Sequence, residues 1–329
     1  MIAVSSTLPA SIAATPVQKV RHSEKSKSIN GYLVGDLLGT GSYAKVKRCK
    51  KESTGEEFAI KVFRKGRLRR QRDFVGGSDG SGMKVVTALD KVFNEMEVMS
   101  SVSHPNLLKL FAVFDDPDKD GKMYAIIELA PGGCIMDWDQ DRLSYFVPDT
   151  EDLLPEPVAG EYIADILEGL SYLHDHEIAH RDLKPQNVLI SAERRAKIGD
   201  FGVALRLEEG GMITTTEGTY HFYSPEMCRP EYEGHNAKAA DVWAAGVTLW
   251  AFLFGSMPFY HDDLVHLMEA ISVGQYTLPT TSVVSAEARA FLDKMLMTDW
   301  TQRPSCQPLL QEAWCQQYRR TEASEEISI

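Results

Sequence analysis

Two short polar segments in the second half of the chain have the residue types that phosphoryl transfer requires. The first reads HRDLKPQN and contains Asp182, Lys184 and Asn187, and the second, DFG, begins at Asp200. Phosphoryl transfer needs positioned reactants and neutralised charge more than covalent chemistry. Asp182 can orient an attacking hydroxyl group and accept its proton, while Lys184 can neutralise the transferred group. Asn187 and Asp200 offer hard oxygen ligands, which predicts a Mg²⁺ site.

A glycine-rich turn near the start of the chain is a candidate phosphate-binding loop. Residues 38–46 read LGTGSYAKV between two stretches with strand-like alternation. Glycines let the backbone approach phosphate oxygens and aim its N–H groups at them, although a GxG turn alone also fits an ordinary hairpin. Ala44 replaces the last glycine of the pattern, and no Gly-Lys-Ser/Thr follows, so this is not a P-loop. The predicted nucleotide contacts here are Leu38, Gly39, Thr40, Gly41, Ser42 and Val46.

Lys61 and Glu95 form a candidate ion pair. In a strand, Ala59 and Lys61 share a face, which places a small residue beside adenine and an ammonium group further toward the phosphates. Taken alone, this tripeptide also fits an ordinary amphipathic strand. Glu95 falls between Val92 and Met96 on the apolar stripe of a predicted helix, where a carboxylate needs a partner. We therefore predict that Glu95 holds Lys61 where it can bind the α- and β-phosphates.

The elements that must position these residues fall into two groups. From residue 29 to about 129, alternating apolar residues predict a small antiparallel sheet with one main helix. Within it, residues 64–82 are basic and then glycine-rich, which predicts a loop. From Pro155 onward the hydrophobic period is helical, with stripes at residues 163–170 and 288–296, which predicts a second lobe at about 134–320. The predicted fold class is α+β, with a small sheet lobe and a larger, mostly helical lobe.

Composition and charge exclude several classes of function. The 329 residues carry a formal net charge of −12 and neither half is strongly basic, which argues against nucleic-acid binding. The five cysteines are scattered and form no CxxC pair, which argues against a disulfide framework and a zinc site. This pattern favours a reducing, cytoplasmic compartment. The longest apolar stretch, residues 242–255, is too short to span a bilayer and predicts a buried core helix.

Both ends of the chain are expected to be tails. Residues 1–28 are rich in Ser, Thr and Ala, which predicts disorder, although the absence of acids before Glu24 leaves a mitochondrial transit peptide open. Residues 321–329 form a short acidic C-terminal tail. A calmodulin-binding helix would be basic and amphipathic, so we do not expect calmodulin to bind within this chain.

These motifs together resemble the protein kinase superfamily over residues 32–318. Further matches are the Ser-Pro-Glu that ends at Glu226, the Asp-Val-Trp that begins at Asp241, and Arg303. The resemblance implies a two-lobed protein kinase fold, ATP and Mg²⁺ as cofactors, and proteins as substrates. It also implies that Glu226 pairs with Arg303 and that Asp241 steadies the catalytic loop from a buried helix.

The same resemblance adds candidate site residues and a substrate preference. Asp137 stands where the family holds the ATP ribose. The remaining nucleotide contacts that it implies are Glu128, Ala130 and Leu189. Lys184, followed by proline, is similar to the serine/threonine class, and Val203, directly after DFG, is similar to kinases that favour threonine as the acceptor.

The resemblance also marks a regulatory position. Thr215 stands where an activation-segment phosphate is usually found, while Thr219 falls in the substrate-facing turn. Arg181 precedes the catalytic aspartate, and in kinases with arginine there the side chain helps to bind that phosphate. Leu205 occupies the position of a second basic residue in many phosphate-activated kinases, and Lys91 is a candidate to compensate for it.

A narrower resemblance is to the calcium/calmodulin-dependent protein kinase kinase group, which comprises upstream activators of AMP-activated-type kinases. It rests on FDDP at residues 114–117, on DVWAAGVTL at residues 241–249, and on a basic insert between Lys61 and Glu95. Members of that group carry an Arg/Pro-rich insert implicated in choosing protein substrates. The cations of the insert here are Arg64, Lys65, Arg67, Arg69, Arg70 and Arg72. Glycines replace the prolines, so the insert either selects substrates or is a solvated basic loop.

Two other classes of function share parts of this pattern. A pseudokinase scaffold would keep the fold without turnover, but Lys61, Asp182, Asn187 and Asp200 are all intact. A small-molecule kinase would not need the long segment from Asp200 to Glu226, which resembles a platform for protein substrates. The sequence therefore favours a serine/threonine protein kinase, and we expect its substrates to include the activation loops of downstream kinases.

Overall fold

The structure of the chain is a computed structural model. It describes residues 9, 11–17, 20–23, 26–76, 83–148, 150, 152–208, 210–229, 231–279 and 284–320. The predicted acidic tail at 321–329 and the glycine-rich residues 77–82 lie outside the described residues. The chain divides into two units, which we call the first and second units. The first contains residues up to Ser103 together with Leu108–Pro131, and the second contains His104–Leu107 together with residues from Gly132 onward.

The first unit is built on a sheet, as the alternating pattern predicts. Its described strands are β1 (Ala14–Pro16), β2 (Val20–Ser23), β3 (Ser26–Ile29), β4 (Tyr32–Thr40), β5 (Ala44–Lys51), β6 (Glu57–Arg64), β7 (Arg72–Gly76), β8 (Met83–Thr87), β9 (Leu110–Asp115) and β10 (Lys122–Ile127). Its described helices are α1 (Lys65–Leu68) and α2 (Ala88–Ser101). Eight strands form one sheet in the order β1-β9-β10-β6-β5-β4-β3-β2. All neighbours are antiparallel except β1 and β9.

The stretch at residues 1–28, treated above as a disordered tail, contributes to this sheet. Strand β1 pairs with β9 through Ala14 and Val113, and β2 and β3 extend the opposite edge. Ile12 is 6% exposed and Ile29 is 1% exposed. Burial of Ile12 stabilises the described residues around it against the sheet, because it removes apolar surface from water.

Helix α2 positions Glu95, and its start follows from local capping chemistry. The Thr87 hydroxyl accepts a hydrogen bond from the backbone N–H of Asp90, and the Asp90 carboxylate accepts one from the backbone N–H of Thr87. This reciprocal capping box satisfies two of the N–H groups at the helix start. Val92 and Met96, on the predicted apolar stripe, are each 1% exposed. The predicted helix is confirmed.

The basic insert is more ordered than the predicted loop. Its first residues form α1, and β7 and β8 pair as an antiparallel hairpin. Lys65 is 4% exposed, and its Nζ donates to Asp115 at 2.7 Å. Asp73 on β7 accepts a hydrogen bond from Lys91 of α2 at 2.9 Å. The loop prediction is wrong for these segments, because paired carboxylates allow cationic side chains to pack against the unit.

The second unit is mostly helical. Its described helices are α3 (Glu156–Asp175), α4 (Ala237–Phe254), α5 (Leu264–Val273), α6 (Ala286–Met295), α7 (Cys306–Leu310) and α8 (Ala313–Tyr318). Its described strands pair as β11 (Asp137–Asp139) with β12 (Ser144–Phe146), β13 (Ile178–Ala179) with β16 (Leu205–Arg206), β14 (Val188–Ile190) with β15 (Ala196–Ile198), and β17 (Met212–Ile213) with β18 (His235–Asn236). Short 3₁₀ turns lie at Pro185–Asn187, Tyr220–Phe222 and Pro225–Met227. The α+β class is confirmed.

Helix α4 is the core helix of the second unit. It begins at the N-cap Asn236, whose side chain accepts a hydrogen bond from Ala239, and ends at Gly255 with φ +64°. It is longer than the apolar stretch at residues 242–255. By length and composition it is the one helix in the described part of the chain that could cross a membrane, and 78% of it is buried inside the fold. The prediction of a buried core helix is confirmed, while the prediction that this element is too short was based on part of its length.

Residues 104–107 belong with the helical unit although they precede β9. The backbone N–H of Ile198 donates to the carbonyl of Asn106 at 2.8 Å, and Leu107 forms a parallel bridge with Ile198. The Asn106 side chain donates to the carbonyl of Ala196. These hydrogen bonds join the segment to β15. The predicted single boundary between the two lobes near residue 129 therefore omits residues 104–107, which belong to the second unit.

Candidate active site

The glycine loop of the first unit joins β4 to β5. Gly39 pairs with Val46, and the backbone N–H of Gly41 donates to the carbonyl of Ala44 at 2.9 Å. A Cβ atom built at Gly39 would meet no atom within 4 Å, so the space beside the loop is open. Open space beside a glycine backbone leaves room for phosphate oxygens to approach. The predicted contacts Leu38, Thr40 and Ser42 are exposed on the same loop.

Lys61 and Glu95 meet within the first unit, as predicted. Lys61 Nζ donates to Glu95 Oε1 at 2.5 Å, and the two side chains are 17% and 5% exposed. Lys61 on β6 is paired with Val46 on β5 and with Ala125 on β10, so these residues share a face of the sheet. Ala59, two residues earlier, takes the same face and is 4% exposed. This face therefore carries an anchored ammonium group beside small side chains.

Four further predicted nucleotide contacts are divided between the units. In the first unit, the backbone N–H of Glu128 donates to the carbonyl of Lys109 at 2.9 Å, and Ala130 follows in an irregular, half-buried segment. In the second unit, Asp137 begins β11 with an exposed side chain that accepts a hydrogen bond from the next backbone N–H. Leu189 lies half-buried on β14. Glu128, Asp137 and Leu189 thus lie on a strand or directly after one.

Asp182 is the centre of a hydrogen-bond network in the second unit. Its Oδ2 accepts from Lys184 Nζ at 2.9 Å and from Asn187 Nδ2 at 3.0 Å. Its Oδ1 accepts from the hydroxyl of Thr219 at 2.8 Å, and Lys184 Nζ donates to the same hydroxyl oxygen at 2.8 Å. One carboxylate and one ammonium group thus converge on a hydroxyl. This is the geometry that a general base for a hydroxyl acceptor requires.

Asn187 and Asp200, the predicted Mg²⁺ ligands, are tied together through the backbone. The N–H of Gly199 donates to the carbonyl of Asn187 at 2.9 Å. Asn187 uses its Nδ2 group on Asp182, which leaves its Oδ1 as the oxygen for a cation. Asp200 is exposed and has φ +61°, a sparsely populated conformation of the kind found at functional sites.

The ligand chemistry of this pair fits Mg²⁺. No group of three or more His, Cys, Asp or Glu residues placed to hold a metal ion occurs in the described part of the chain. Mg²⁺ is commonly held by one or two carboxylates with substrate phosphates and water completing its coordination. An amide oxygen and one carboxylate near a phosphate-bearing substrate are therefore sufficient.

Asp241 of α4 holds the catalytic loop in place, as the resemblance implies. It is 1% exposed, and it accepts hydrogen bonds of 2.8 Å from the backbone N–H groups of His180 and Arg181. His174 Nε2 lies 2.9 Å from the same carboxylate. Burial opposes the charge of Asp241, but its hydrogen bond with His174 holds the pKa of the carboxyl below its ordinary value. Burial lowers the pKa of His174, whereas Cys306 and Asp241 raise it, and the net shift is upward.

The predicted pair between Glu226 and Arg303 is also present. Arg303 donates two hydrogen bonds to the Glu226 carboxylate, at 3.0 and 3.1 Å, and both side chains are buried. The guanidinium group lies 5.1 Å from the ring centroid of Trp243. A bidentate arginine–carboxylate pair fixes orientation as well as distance. It anchors the end of the segment that begins at Asp200.

Sequence reasoning did not single out Gly218, which brings Thr219 to Asp182. Gly218 has φ +107°, and a Cβ atom at this position would lie 2.3 Å from the carbonyl oxygen of Arg181. Only glycine fits such a conformation and such an approach. The signal available in the sequence was a glycine directly before a threonine of the activation segment.

Arg181 also contacts the predicted phosphorylation site. Its Nη2 donates to the carbonyl of Thr215 at 2.9 Å and to the Thr215 hydroxyl at 3.1 Å. Its Nη1 donates to the carbonyl of Val203 at 3.3 Å. Arg181 therefore connects the catalytic loop to two points of the activation segment without a phosphate.

Comparisons with known proteins agree with this arrangement. The model of the protein kinase domain family matches residues 32–315. The chain is 35% identical over 263 residues to a probable serine/threonine-protein kinase of Dictyostelium discoideum, covering 79% of this chain and 35% of that protein. It is 32% identical over 311 residues to serine/threonine-protein kinase par-4 of Caenorhabditis briggsae, covering 92% and 43%. It is 32% identical over 289 residues to serine/threonine-protein kinase GRIK2 of Arabidopsis thaliana, covering 88% and 66%.

The chain thus spans from about a third to about two thirds of the length of these relatives. The family match covers most of the chain, including every residue of the Asp182 network and the pair of Lys61 and Glu95. On this evidence the chain belongs to the protein kinase domain family.

Proposed function

We propose that this chain is a serine/threonine protein kinase that transfers the γ-phosphoryl group of ATP to hydroxyl side chains of proteins. The observation that carries this proposal is the convergence of Asp182 and Lys184 on one hydroxyl oxygen, at 2.8 Å each. All three relatives described above bear the name of serine/threonine kinases, which supports the same class.

Each residue of the site has a role that its environment suits. In the transfer, the acceptor oxygen attacks the γ-phosphorus, the bond from phosphorus to the ADP oxygen breaks, and Asp182 takes the hydroxyl proton. Lys184 neutralises charge on the moving phosphoryl group, and Lys61, held by Glu95, positions the α- and β-phosphates. Asn187 and Asp200 would hold Mg²⁺, which when bound neutralises phosphate charge.

We further propose that the substrates are activation loops of downstream kinases, with threonine as the preferred acceptor. This proposal rests on the resemblance to the calcium/calmodulin-dependent protein kinase kinase group and on Val203 directly after DFG. The relatives described above carry other names, so the narrower assignment depends on the sequence motifs and on the ordered basic insert.

Two assays test the general and the narrower proposals separately. Incubation of the chain with labelled ATP, Mg²⁺ and a generic protein substrate should yield labelled protein, and Asp200→Ala should abolish the label. Absence of transfer in a folded, ATP-binding preparation would contradict the kinase proposal and favour a scaffold. The narrower proposal is tested with the isolated activation segment of an AMP-activated-type kinase as the substrate, made once with threonine and once with serine as the acceptor. If the chain phosphorylated a generic peptide faster than this segment, or serine faster than threonine, the narrower proposal would be contradicted and the kinase proposal would not be affected.

A further inference from the structure

One face of the eight-stranded sheet carries a cationic groove. The cavity has a volume of about 440 Å³. Six basic side chains line it, and none of the described residues along it is acidic. The six are Lys27, Lys45, Lys47, Arg64, Arg67 and Lys122. We call this surface the basic groove.

The basic groove lies on the sheet face opposite Lys61. Successive residues of a strand point to opposite faces, so Val62 and Arg64 point away from the face that carries Lys61. The register aligns Val62 with Lys45 on one side and with Tyr124 on the other. All of these except Lys61 line the groove. The groove therefore lies on the sheet face opposite the predicted nucleotide contacts of β5 and β6. At one end it is bordered by Thr40, Gly41 and Ser42 of the glycine loop, which are themselves predicted nucleotide contacts.

The cations of the basic groove have no carboxylate partner within the described part of the chain. Lys47 donates only to the carbonyl of Gly35, at 3.4 Å, and Lys27 lies 5.6 Å from the ring centroid of Tyr124. Burial lowers the pKa of Lys27, and the nearby ammonium groups of Lys122 and Lys47 lower it further. Like charges gathered in this way repel one another, although the whole chain has a net charge of −12. An anionic ligand would relieve that repulsion.

The apolar side chains at the bottom of the basic groove limit the class of ligand that can fill it. It is formed by the apolar side chains of Ile29, Val34, Val62 and Leu68 beside Tyr124. A free phosphate ion would use the rim of cations and leave this floor without contacts. A long nucleic acid would extend beyond the groove over a chain whose net charge is strongly negative. A short acidic peptide with an apolar side chain matches both the rim and the floor.

We propose that the basic groove docks an acidic segment of a partner protein. A second cavity continues it past Arg64, Arg67 and Lys122 toward Arg70. Four of the groove cations also line that second cavity, where Asp116 and Asp120 limit the positive surface. The occupant therefore places its acidic residues over β5, β6 and β10.

The experiment measures peptide binding to the full chain by fluorescence anisotropy. The probe is a short fluorescein-labelled peptide in which glutamates flank one leucine and one phenylalanine, with a glutamine version as its uncharged control. The variants are Lys47→Glu and Lys122→Glu. Lys50→Glu is the matched control, because it makes the same charge change on β5 at a position whose side chain points to the other face.

We expect each groove variant to weaken binding of the acidic peptide by about tenfold or more and Lys50→Glu to change it by less than about twofold. Transfer to a generic substrate should stay near the wild-type rate in all three variants, which shows that they are folded and separates this result from the proposed function. Equal losses in Lys50→Glu, or equal binding of the glutamine peptide, would overturn the proposal. Tighter binding of a uridine homopolymer with the same variant pattern would assign the groove to nucleic acid and also overturn it.

Discussion

The hydroxyl of Thr219 donates a hydrogen bond of 2.8 Å to Oδ1 of Asp182. The two residues are 37 positions apart. Gly218 makes the contact possible, because its backbone lies too close to the carbonyl oxygen of Arg181 to leave room for a side chain. The activation segment therefore reaches the catalytic carboxylate through a conformation that only glycine adopts without strain. This contact couples the placement of the segment to the state of the catalytic loop.

Gly218→Ala should lower kcat/KM for a peptide substrate by at least about tenfold. The new Cβ would lie 2.3 Å from the carbonyl oxygen of Arg181, so the catalytic loop or the segment must move. Strained backbone of this kind costs about 1–3 kcal/mol. Gly210→Ala is the matched control, since Gly210 has φ +90° but no atom within 4 Å of its added Cβ. Equal kinetic losses in both variants would show that backbone strain alone, and not the clash at Arg181, affects activity.

Asp182→Asn should reduce turnover by at least about 10²-fold while folding and ATP binding persist, because an amide cannot accept the hydroxyl proton. The neighbouring donors, Lys184 and Asn187, still find an oxygen in the amide. Steady-state kinetics with a peptide substrate and a thermal-shift titration with ATP measure the two effects. Near wild-type turnover in a clean preparation would contradict the assignment of Asp182 as the base.

Asp200→Asn should change the Mg²⁺ dependence of activity, unlike Asp182→Asn. As a ligand of Mg²⁺, Asp200 should affect the concentration of the metal at which activity is half-maximal, because an amide is a weaker ligand than a carboxylate. We expect a Mg²⁺ titration to shift to higher concentration in Asp200→Asn. An unchanged titration with reduced turnover would separate Asp200 from metal binding.

Lys61→Met should abolish transfer, because the ammonium group that binds the phosphates is lost. The protein should stay folded, because methionine keeps an unbranched apolar side chain at this largely buried position. Glu95→Gln should lower activity less severely, since a neutral amide can still accept a hydrogen bond from the ammonium group. Kinetics with varied ATP concentration, with circular dichroism as the folding check, distinguish the two. Full activity in Glu95→Gln would mean that the 2.5 Å contact is not needed in the active state.

The free energy of unfolding should depend on pH through protonation of His235. Its side chain is 2% exposed, and burial lowers the pKa of its imidazole to about 4. As pH falls from 6.5 toward 4, the unfolded chain takes up a proton that the folded chain does not, so His235 contributes to a loss of stability in that window. Between pH 7 and pH 5, the loss in the free energy of urea unfolding should be smaller in His235→Gln than in the wild type by the order of 2 kcal/mol. The same decrease in His235→Gln would assign the acid sensitivity to another group.

Local motifs made the arrangement around Asp182 predictable. Asp182, Lys184 and Asn187 fall within six positions, so their spacing in the chain already limits their spacing in space. Glu95 was predictable for a different reason, because a carboxylate on an apolar helix face requires a partner. The α+β class followed from the change of hydrophobic period along the chain.

The contacts that sequence reasoning missed join residues far apart. Thr219 reaches Asp182 across 37 positions, and Asn106 reaches Ala196 across 90. Periodicity describes one element at a time and contains no information on such pairings. The hairpin of β7 and β8 was hidden for another reason. Its strands flank a glycine-rich stretch, and the contact of Asp73 on β7 with Lys91 of α2 joins residues 18 positions apart.

The activation segment gives the final prediction, that Thr215→Ala lowers activity by less than about tenfold. A phosphate at Thr215 would add charge-assisted hydrogen bonds to Arg181. Arg181 already binds the carbonyl and hydroxyl of unphosphorylated Thr215, at 2.9 and 3.1 Å. Removal of the hydroxyl leaves the carbonyl contact in place, so the segment stays tethered to the catalytic loop.

The two other positions considered for binding a phosphate offer little further help. Leu205 stands where a second basic residue would bind it, and the ammonium group of Lys91 lies 2.9 Å from Asp73. We therefore expect the dephosphorylated protein to retain turnover in a peptide assay. The matched control for Thr215→Ala is Thr214→Ala, which removes the same hydroxyl group from an exposed neighbouring residue. Complete loss of activity on dephosphorylation, restored by phosphate at Thr215 and not at Thr214, would make the segment an obligatory switch. In that case the contacts of Arg181 with unphosphorylated Thr215 would be insufficient to order the loop.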